Sequence, residues 1–400
     1  MKVLELFGGI GACSKALKNL GIDYEIVDYV EIDKYAVKSF NAIHGTNFEL
    51  QDICEWNKDI EVDLIMHGSP CQDFSLAGLQ AGGDMNSGTR SSLMYETLRI
   101  VEKLKPKYVI WENVKNLLSK KHKHNFDAYL FIMDTLGYHS YYQVLNAKDY
   151  GIPQNRERVF TISIRNDIDK DFVFPPKQEL QLKLKDMLEE NVDEKYYLSD
   201  KMIKYISANG TANFRNPDCK INLDIARPLT TDPNKRAGTT NYLSDDLPDN
   251  YDLNGSSYLR NFGSKGKLQD KEYCDTLTAS MGTGGGNVPI LRIKNNTKKG
   301  YLEATDGDGI DLAQPNSKTR RGRVQKEAIQ TLTTQNNLGV VNNLRIRKLT
   351  PKECWRLMGF SDEDFEKASK VNSNTQLYKQ AGNSIVVNVL MAIFKELINI

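Results

Sequence analysis

Short apolar runs alternate with amphipathic stretches through the first 165 residues of the chain, and then the alternation stops. Residues 3–7, 24–30, 62–66, 108–114, 141–145 and 159–164 read as strands. Most are apolar on both faces, as strands of a sheet covered by helices are. Between them lie helix-period stretches: one running through Leu17 and Leu20, one carrying Leu93, Leu98, Ile100, Val101 and Leu104 and stopped by Pro106, and one over 126–136. Strand, turn and helix in this order predict an α/β fold with its chemistry at the strand ends. From about Asp167 the chain turns polar and turn-rich, with acidic patches at 189–194 and 244–252. Periodicity returns at 349–358, where Thr350 is placed to cap a helix with Pro351 in its first turn. The chain closes on an apolar helix over 385–398, long enough to pack against the opening sheet.

Four hundred residues exceed one ordinary core, so two domains are expected, one inserted in the other. No apolar run approaches the roughly 20 residues that cross a bilayer, and the start runs directly into a strand pattern. A cytoplasmic protein without a membrane partner is therefore expected. The six cysteines are scattered without a Cys-x-x-Cys pair or a nearby His pattern, which argues against a zinc site or a disulfide framework. The formal net charge is only +1, but its distribution is uneven. Between Asp311 and Glu353 the only acid is Glu327, while Lys318, Arg320, Arg321, Arg323, Lys326, Arg345, Arg347, Lys348 and Lys352 all fall there. Such a strip is either a solvated face or a phosphate contact. The middle region also repeats a Leu-Thr segment at 227–231, 275–279 and 330–334. The spacing is too uneven for a solenoid and fits a surface-reading domain of short strands and loops.

The candidate chemistry gathers at predicted strand ends. Gly68-Ser69-Pro70-Cys71-Gln72-Asp73-Phe74-Ser75 follows the strand at 62–66, and a glycine-rich polar segment runs on to Ser92. A thiol on a stiff turn beside such a segment is either a nucleophile under a lid or a buried structural cysteine. The first strand runs into Gly8-Gly9-Ile10-Gly11 and a helix, a layout that lets a ligand approach backbone and helix N-terminus. Glu31, at the tip of the second strand, is placed to accept from ribose hydroxyls, and Asp52 could reach an adenine amino group. Glu112 ends the strand at 108–114, where a charge is costly unless used or paired. In a strand register Gln154, Arg156 and Arg158 share one side, as an anion or carbonyl clamp or as a salt-bridged edge.

Taken in order, Phe7-Gly8-Gly9-Ile10-Gly11, Glu31-Ile32-Asp33, Asp52, Pro70-Cys71-Gln72-Asp73-Phe74-Ser75, Arg90-Ser91-Ser92-Leu93, Glu112-Asn113-Val114, Gln154-Asn155-Arg156-Glu157-Arg158, the helix from Leu349 and Gln380-Ala381-Gly382-Asn383-Ser384 resemble the motifs of the DNA (cytosine-5)-methyltransferase family, in its bacterial and bacteriophage restriction-modification form. The resemblance covers about 1–165 and 345–400. It departs at Gly8, where the family often has Ala, and at Gln51, where it often has Gly.

The resemblance implies a Rossmann-like S-adenosylmethionine-dependent methyltransferase domain over 1–169, an inserted loop- and strand-rich target-recognition domain over 170–343, and a return of the chain to the catalytic domain over 344–400. It implies Cys71 as nucleophile, with Glu112, Arg156 and Arg158 as its catalytic companions. Phe7, Gly8, Gly9, Ile10, Gly11, Glu31, Ile32, Asp52, Ile53, Pro70, Asn383 and Ser384 would line the S-adenosylmethionine site. Gln72, Ser75, Gly78, Ser87, Arg90, Gln154, Lys318, Arg320, Arg321 and Arg323 would contact double-stranded DNA. A monomer without a metal is implied, and any cognate restriction endonuclease would act without touching it. The competing readings are a tRNA cytosine methyltransferase of the same lineage, a catalytically silent DNA-binding regulator and a nicotinamide oxidoreductase. An adenine methyltransferase would need an Asp/Asn-Pro-Pro-Tyr/Phe segment, and the chain has none.

Overall fold

The structure, a computed structural model, describes residues 1–70, 93–168, 171–197, 258–262, 267–271, 291–297, 300–314, 317, 319, 321–334, 337–342 and 345–398. The chain divides into two compact units. One comprises Met1–Met187, Thr331–Asn336 and Thr350–Ile400, and the other Leu188–Gln330 and Asn337–Leu349.

The first unit is built on a six-stranded sheet. Its strands are β1 (Lys2–Leu6), β2 (Glu25–Val30), β3 (Leu64–His67), β4 (Tyr108–Val114), β5 (Tyr138–Asn146) and β7 (Glu157–Arg165), with a two-residue strand β6 (Gln154–Asn155) outside the sheet. The order is β2-β1-β3-β4-β7-β5; the first four run parallel, and β7 is antiparallel to both its neighbours. Helices α1 (Ala12–Asn19), α2 (Lys34–His44), α3 (Met94–Leu104) and α4 (Lys123–Thr135) connect these strands. Parallel strands need such crossovers, and burial of both faces explains their continuous apolar sequences. Leu4, Leu6, Ile65, Val109, Trp111, Leu98, Tyr129 and Tyr138 belong to one core cluster.

The chain returns as α5 (Pro351–Arg356), α6 (Asp362–Ser369), α7 (Asn374–Asn383) and α8 (Val387–Ile398). Thr350 caps α5 as expected: its hydroxyl accepts from Glu353 N, and the Glu353 carboxylate accepts from Thr350 N. Helix α8 packs on α1, so the last turns of the chain cover its first helix. Lys15 of α1 and Asp364 of α6 add a nearly buried ion pair of 2.6 Å.

By length and composition the segment Asn374–Ile398 could cross a membrane, with a mean hydropathy of 1.5 in its most apolar window. It is, however, interrupted at Ser384-Ile385-Val386, and 56% of that window is buried, as in a core helix. The first unit runs to Met187 because Phe172, Leu184 and Met187 are buried, Tyr150 donates to Pro175 O, and Arg356 donates to Met187 O.

The second unit consists of short antiparallel pairings. Val324–Gln325, Gly309–Asp311, Leu338–Asn342 and Arg345–Lys348 form one sheet in that order. Leu291–Lys294 pairs with Tyr301–Ala304, and Tyr258–Phe262 with Lys267–Lys271. Asp308, fully buried, ties this unit together by accepting from Thr305 N, Glu327 N and Lys326 Nζ.

Candidate active site

Two clusters form at the carboxyl edge of the parallel strands. The first lies beyond β1 and β2. The turn after β1 is left-handed at Phe7 (φ 52), Gly9 (φ 55) and Gly11 (φ 79), so two of its three unusual positions are glycine for a backbone reason. At Gly11 space matters too: a Cβ would lie 2.2 Å from His44 Nε2. Glu31 closes this turn onto the β2 tip, accepting from Gly9 N at 3.1 Å and from Ile32 N and Asp33 N at 2.9 Å. Burial pushes the Glu31 carboxyl above its ordinary range, and the three N–H donors oppose that shift. Gln51 N donates to Glu31 O, placing the Asp52 turn beside the same tip, with Asp52 accepting from Cys54 N. Ile32 is 63% exposed, whereas Ile10 and Ile53 are buried, Ile53 within the main core cluster. The turn with its open Gly9, the fixed carboxylate and the exposed apolar Ile32 fit a nucleoside-bearing cofactor.

Tyr29 underlies this turn. Its hydroxyl donates to Gly9 O at 2.7 Å, and its ring stacks on Phe40 at 3.8 Å. A Cβ on Gly8 would meet the Tyr29 ring at 2.7 Å, which accounts for glycine where the family often has Ala. Gly8→Ala is accordingly expected to destabilise the protein by an overpacking cost of about 1–3 kcal/mol. Gly8→Ala combined with Tyr29→Phe, which frees the ring from Gly9 O, should recover part of the loss; urea titrations of both variants check this.

Three titratable groups with shifted protonation lie in the β1, α2 and β3 elements, Glu5 and His67 buried and His44 half-buried. Burial pushes Glu5 up to about 7, while Ser14 N and Oγ donate to it. His44, 3.3 Å from Ile10 O, and His67, 3.2 Å from the Tyr129 hydroxyl, are held down at about 4 and about 3 by burial. Each histidine binds fewer protons folded than unfolded below its ordinary 6.5, so its contribution to stability is lost as pH falls through that window. Glu5 binds its proton more tightly when folded, so its contribution is lost as pH rises from about 4.5 to 7. Glu5→Gln should therefore steepen the rise of stability with pH between about 5 and 6.5 by about 1 kcal/mol per pH unit. Urea titrations of both proteins across that range test the sign.

The second cluster lies beyond β3, β4 and β7. Glu112 Oε1 pairs with Arg158 Nε at 3.0 Å, with side chains 12% and 17% exposed. Its Oε2 lies 3.7 Å from where a Cβ on Gly68 would stand, so this carboxylate faces the strand end that leads to Cys71. Ser69 is fixed by Trp111 Nε1, which donates to its Oγ at 3.0 Å, and by Asn113 Nδ2, which donates to its carbonyl at 3.4 Å. Pro70 closes the described part of this edge. Trp111 and Ser69 were missed by pattern reading because a tryptophan in an apolar strand reads only as core.

Gln154 and Arg156 do not share a face with Arg158. Arg156 N donates to Gln154 O across a tight turn, which separates β6 from β7 and breaks the strand register. Gln154, fully buried, donates to Leu357 O at 2.7 Å and accepts from Leu332 N at 3.0 Å, so as it stands it is not a DNA contact. Arg156, 4% exposed, donates to Leu332 O, Gly382 O and Ser384 O at 3.1, 3.2 and 2.7 Å. It is a carbonyl clamp on the returning chain rather than a companion of Glu112. The clamp orients the turn that carries exposed Asn383 and buried Ser384.

In the second unit Arg323 is also turned inward, 2% exposed and donating to Asp311 O, Ala313 O and Gln314 O, so it is not a surface phosphate contact. Arg321 is exposed, with Nε on Asn296 O. Cys71, Gln72, Ser75, Gly78, Ser87, Arg90, Lys318 and Arg320 lie outside the described residues, as does the segment 76–92. Among the described residues no group of three His, Cys, Asp or Glu side chains is placed to hold a metal.

Comparison with known proteins adds to this geometry. The family model described as C-5 cytosine-specific DNA methylase matches residues 1–399. An orphan methyltransferase of Bacillus phage SPR is 35% identical, covering 100% of this chain and 98% of its own length. A type II methyltransferase of Lactococcus lactis subsp. cremoris is 32% identical, covering 99% of each. Among solved structures, the Dnmt2 methyltransferase of S. pombe superposes with a TM-score of 0.53 at 16% identity, over 100% of this chain and 98% of that one, a likeness of fold.

Proposed function

The chain belongs to the C-5 cytosine-specific DNA methylase family and methylates cytosine at carbon 5 in DNA; from that premise we propose that it acts on one short sequence of double-stranded DNA, with the target base flipped out of the helix, Cys71 as nucleophile and S-adenosylmethionine as methyl donor. The observation that carries this reading is the pairing of Glu112 and Arg158 at 3.0 Å beside the strand end that runs into Cys71. Carbon 5 of cytosine is a poor nucleophile, and addition of a thiolate at carbon 6 turns the ring into an enamine that is a good one. Cys71 adds, Glu112 holds ring nitrogen 3, and Arg158 steadies both the carboxylate and the charge that develops on the base. After carbon 5 takes up the methyl group, its proton leaves and the Cys71 thiolate is expelled, which restores the aromatic ring.

S-adenosylmethionine, when bound, supplies an electrophilic methyl group. Phe7, Gly9 and Gly11 would border it, Glu31 would accept from its ribose, Ile32 would lie against its adenine, and the Asp52 turn would take the adenine amino group. Arg156 is a positioning residue that sets the Asn383–Ser384 turn. Flipping costs a few kcal/mol, and segment 76–92 is assigned to closing over the base. The second unit, with Arg321 at its surface, is assigned to reading the duplex. The chain is taken to act as a cytoplasmic monomer, and a restriction endonuclease partner would not touch it.

Duplex DNA carrying 5-fluorocytosine tests the mechanism. Fluorine cannot leave as the proton does, so in the presence of S-adenosylmethionine the protein should remain covalently joined to the DNA through Cys71. Methyl transfer to tRNA with none to duplex DNA would instead assign an RNA substrate.

A further inference from the structure

We propose that Trp111 and Ser69 are positioning residues for methyl transfer, a latch that holds the backbone entering Cys71 in fixed relation to Glu112. The inference rests on Cys71 being the nucleophile. The β3–β4 ladder ends at the His67–Trp111 pair, and beyond it Gly68, Ser69 and Pro70 are no longer part of the sheet. Side chains of β4 take over there. Trp111 Nε1 donates to Ser69 Oγ at 3.0 Å, and Asn113, whose Oδ1 accepts from Val114 N at 2.8 Å, donates to Ser69 O at 3.4 Å.

The donor cannot turn away. Trp111 is 1% exposed and packed against His67 (5.7 Å between centroids, 4° between planes), Tyr129 (4.2 Å) and Phe126 (5.9 Å). Strand alternation does the rest: Trp111 and Asn113 reach Ser69 from one face of β4, while Glu112 between them meets Arg158 and the Gly68 side. One strand thus fixes both the acid and the approach to the thiol. Ser69, 3% exposed, offers the hydroxyl that receives the indole N–H, and no pattern in the sequence marks it.

Positioning is separable from stability because removing both members of a buried hydrogen bond leaves no unmatched donor, whereas removing one does. Ser69→Ala should lower the melting temperature and turnover together. Ser69→Ala with Trp111→Phe should regain most of the melting temperature yet keep kcat lowered, about 10-fold to 100-fold, with KM for DNA and for S-adenosylmethionine within about 2-fold, since displacement of a reacting group by about 1 Å carries a penalty of that size. Ser69→Thr, which keeps the hydroxyl, should restore kcat. A double variant whose kcat recovers along with its melting temperature would overturn the proposal. Trapping on 5-fluorocytosine DNA in the wild type, present with Cys71 and absent in Cys71→Ser, tests the nucleophile itself, so failure of the latch and failure of that assignment are read separately.

Discussion

Glu112→Gln is expected to lower single-turnover methyl transfer by a factor of about 10² to 10⁴, the range typical of a positioned acid or base. The amide keeps the shape and can still accept from Arg158 Nε, so binding of S-adenosylmethionine, proposed at the β1–β2 edge, should be unchanged. What it loses is the negative charge and the capacity to carry a proton at ring nitrogen 3. Among the described residues the carboxylate is 12% exposed, is paired on one oxygen with Arg158 at 3.0 Å and turns the other toward Gly68. A reduction of less than about tenfold, at saturating DNA and S-adenosylmethionine, would contradict this assignment.

Arg156→Ala should act on folding rather than on chemistry. One guanidinium holds Leu332 O, Gly382 O and Ser384 O, and all three carbonyls lose a charged donor together. Hydrogen bonds to charged groups contribute about 1.5–3 kcal/mol each, and their sum is not additive, so a loss of about 4 kcal/mol is expected. For a unit of this size that is a fall of about 10 °C in the melting temperature of the first unit. Arg156→Lys should recover less than half, because an ammonium cannot span three carbonyls as a planar fork does. Calorimetry measures both, and a shift below about 3 °C would show that the clamp is dispensable.

The strands at 3–7, 24–30, 62–66 and 108–114 were legible because parallel strands are apolar on both faces, and the capped helix at Thr350 because capping is local chemistry. Glu31 and Glu112 stood out as charges at the ends of such strands, and the structure places each at the expected edge. What depended on a backbone detail was not legible. The tight turn at Gln154–Arg156 sends two of three equally spaced polar residues inward, and nothing in their spacing announces it. Arg323 sits in a basic strip yet folds back onto its own loop carbonyls, because burial, not charge, decides what a guanidinium meets. The opposite failure affects Trp111, which reads as plain core yet donates to Ser69 Oγ.

The central claim is that this chain methylates carbon 5 of cytosine in duplex DNA through Cys71. Transfer of labelled methyl from S-adenosylmethionine to unmethylated genomic DNA, with the wild type beside Cys71→Ser and base-resolution mapping of the product, tests it most directly. The account predicts 5-methylcytosine confined to one short sequence context in the wild type and none with Cys71→Ser. Methylation that persists in Cys71→Ser, or that appears in tRNA and not in duplex DNA, would contradict it.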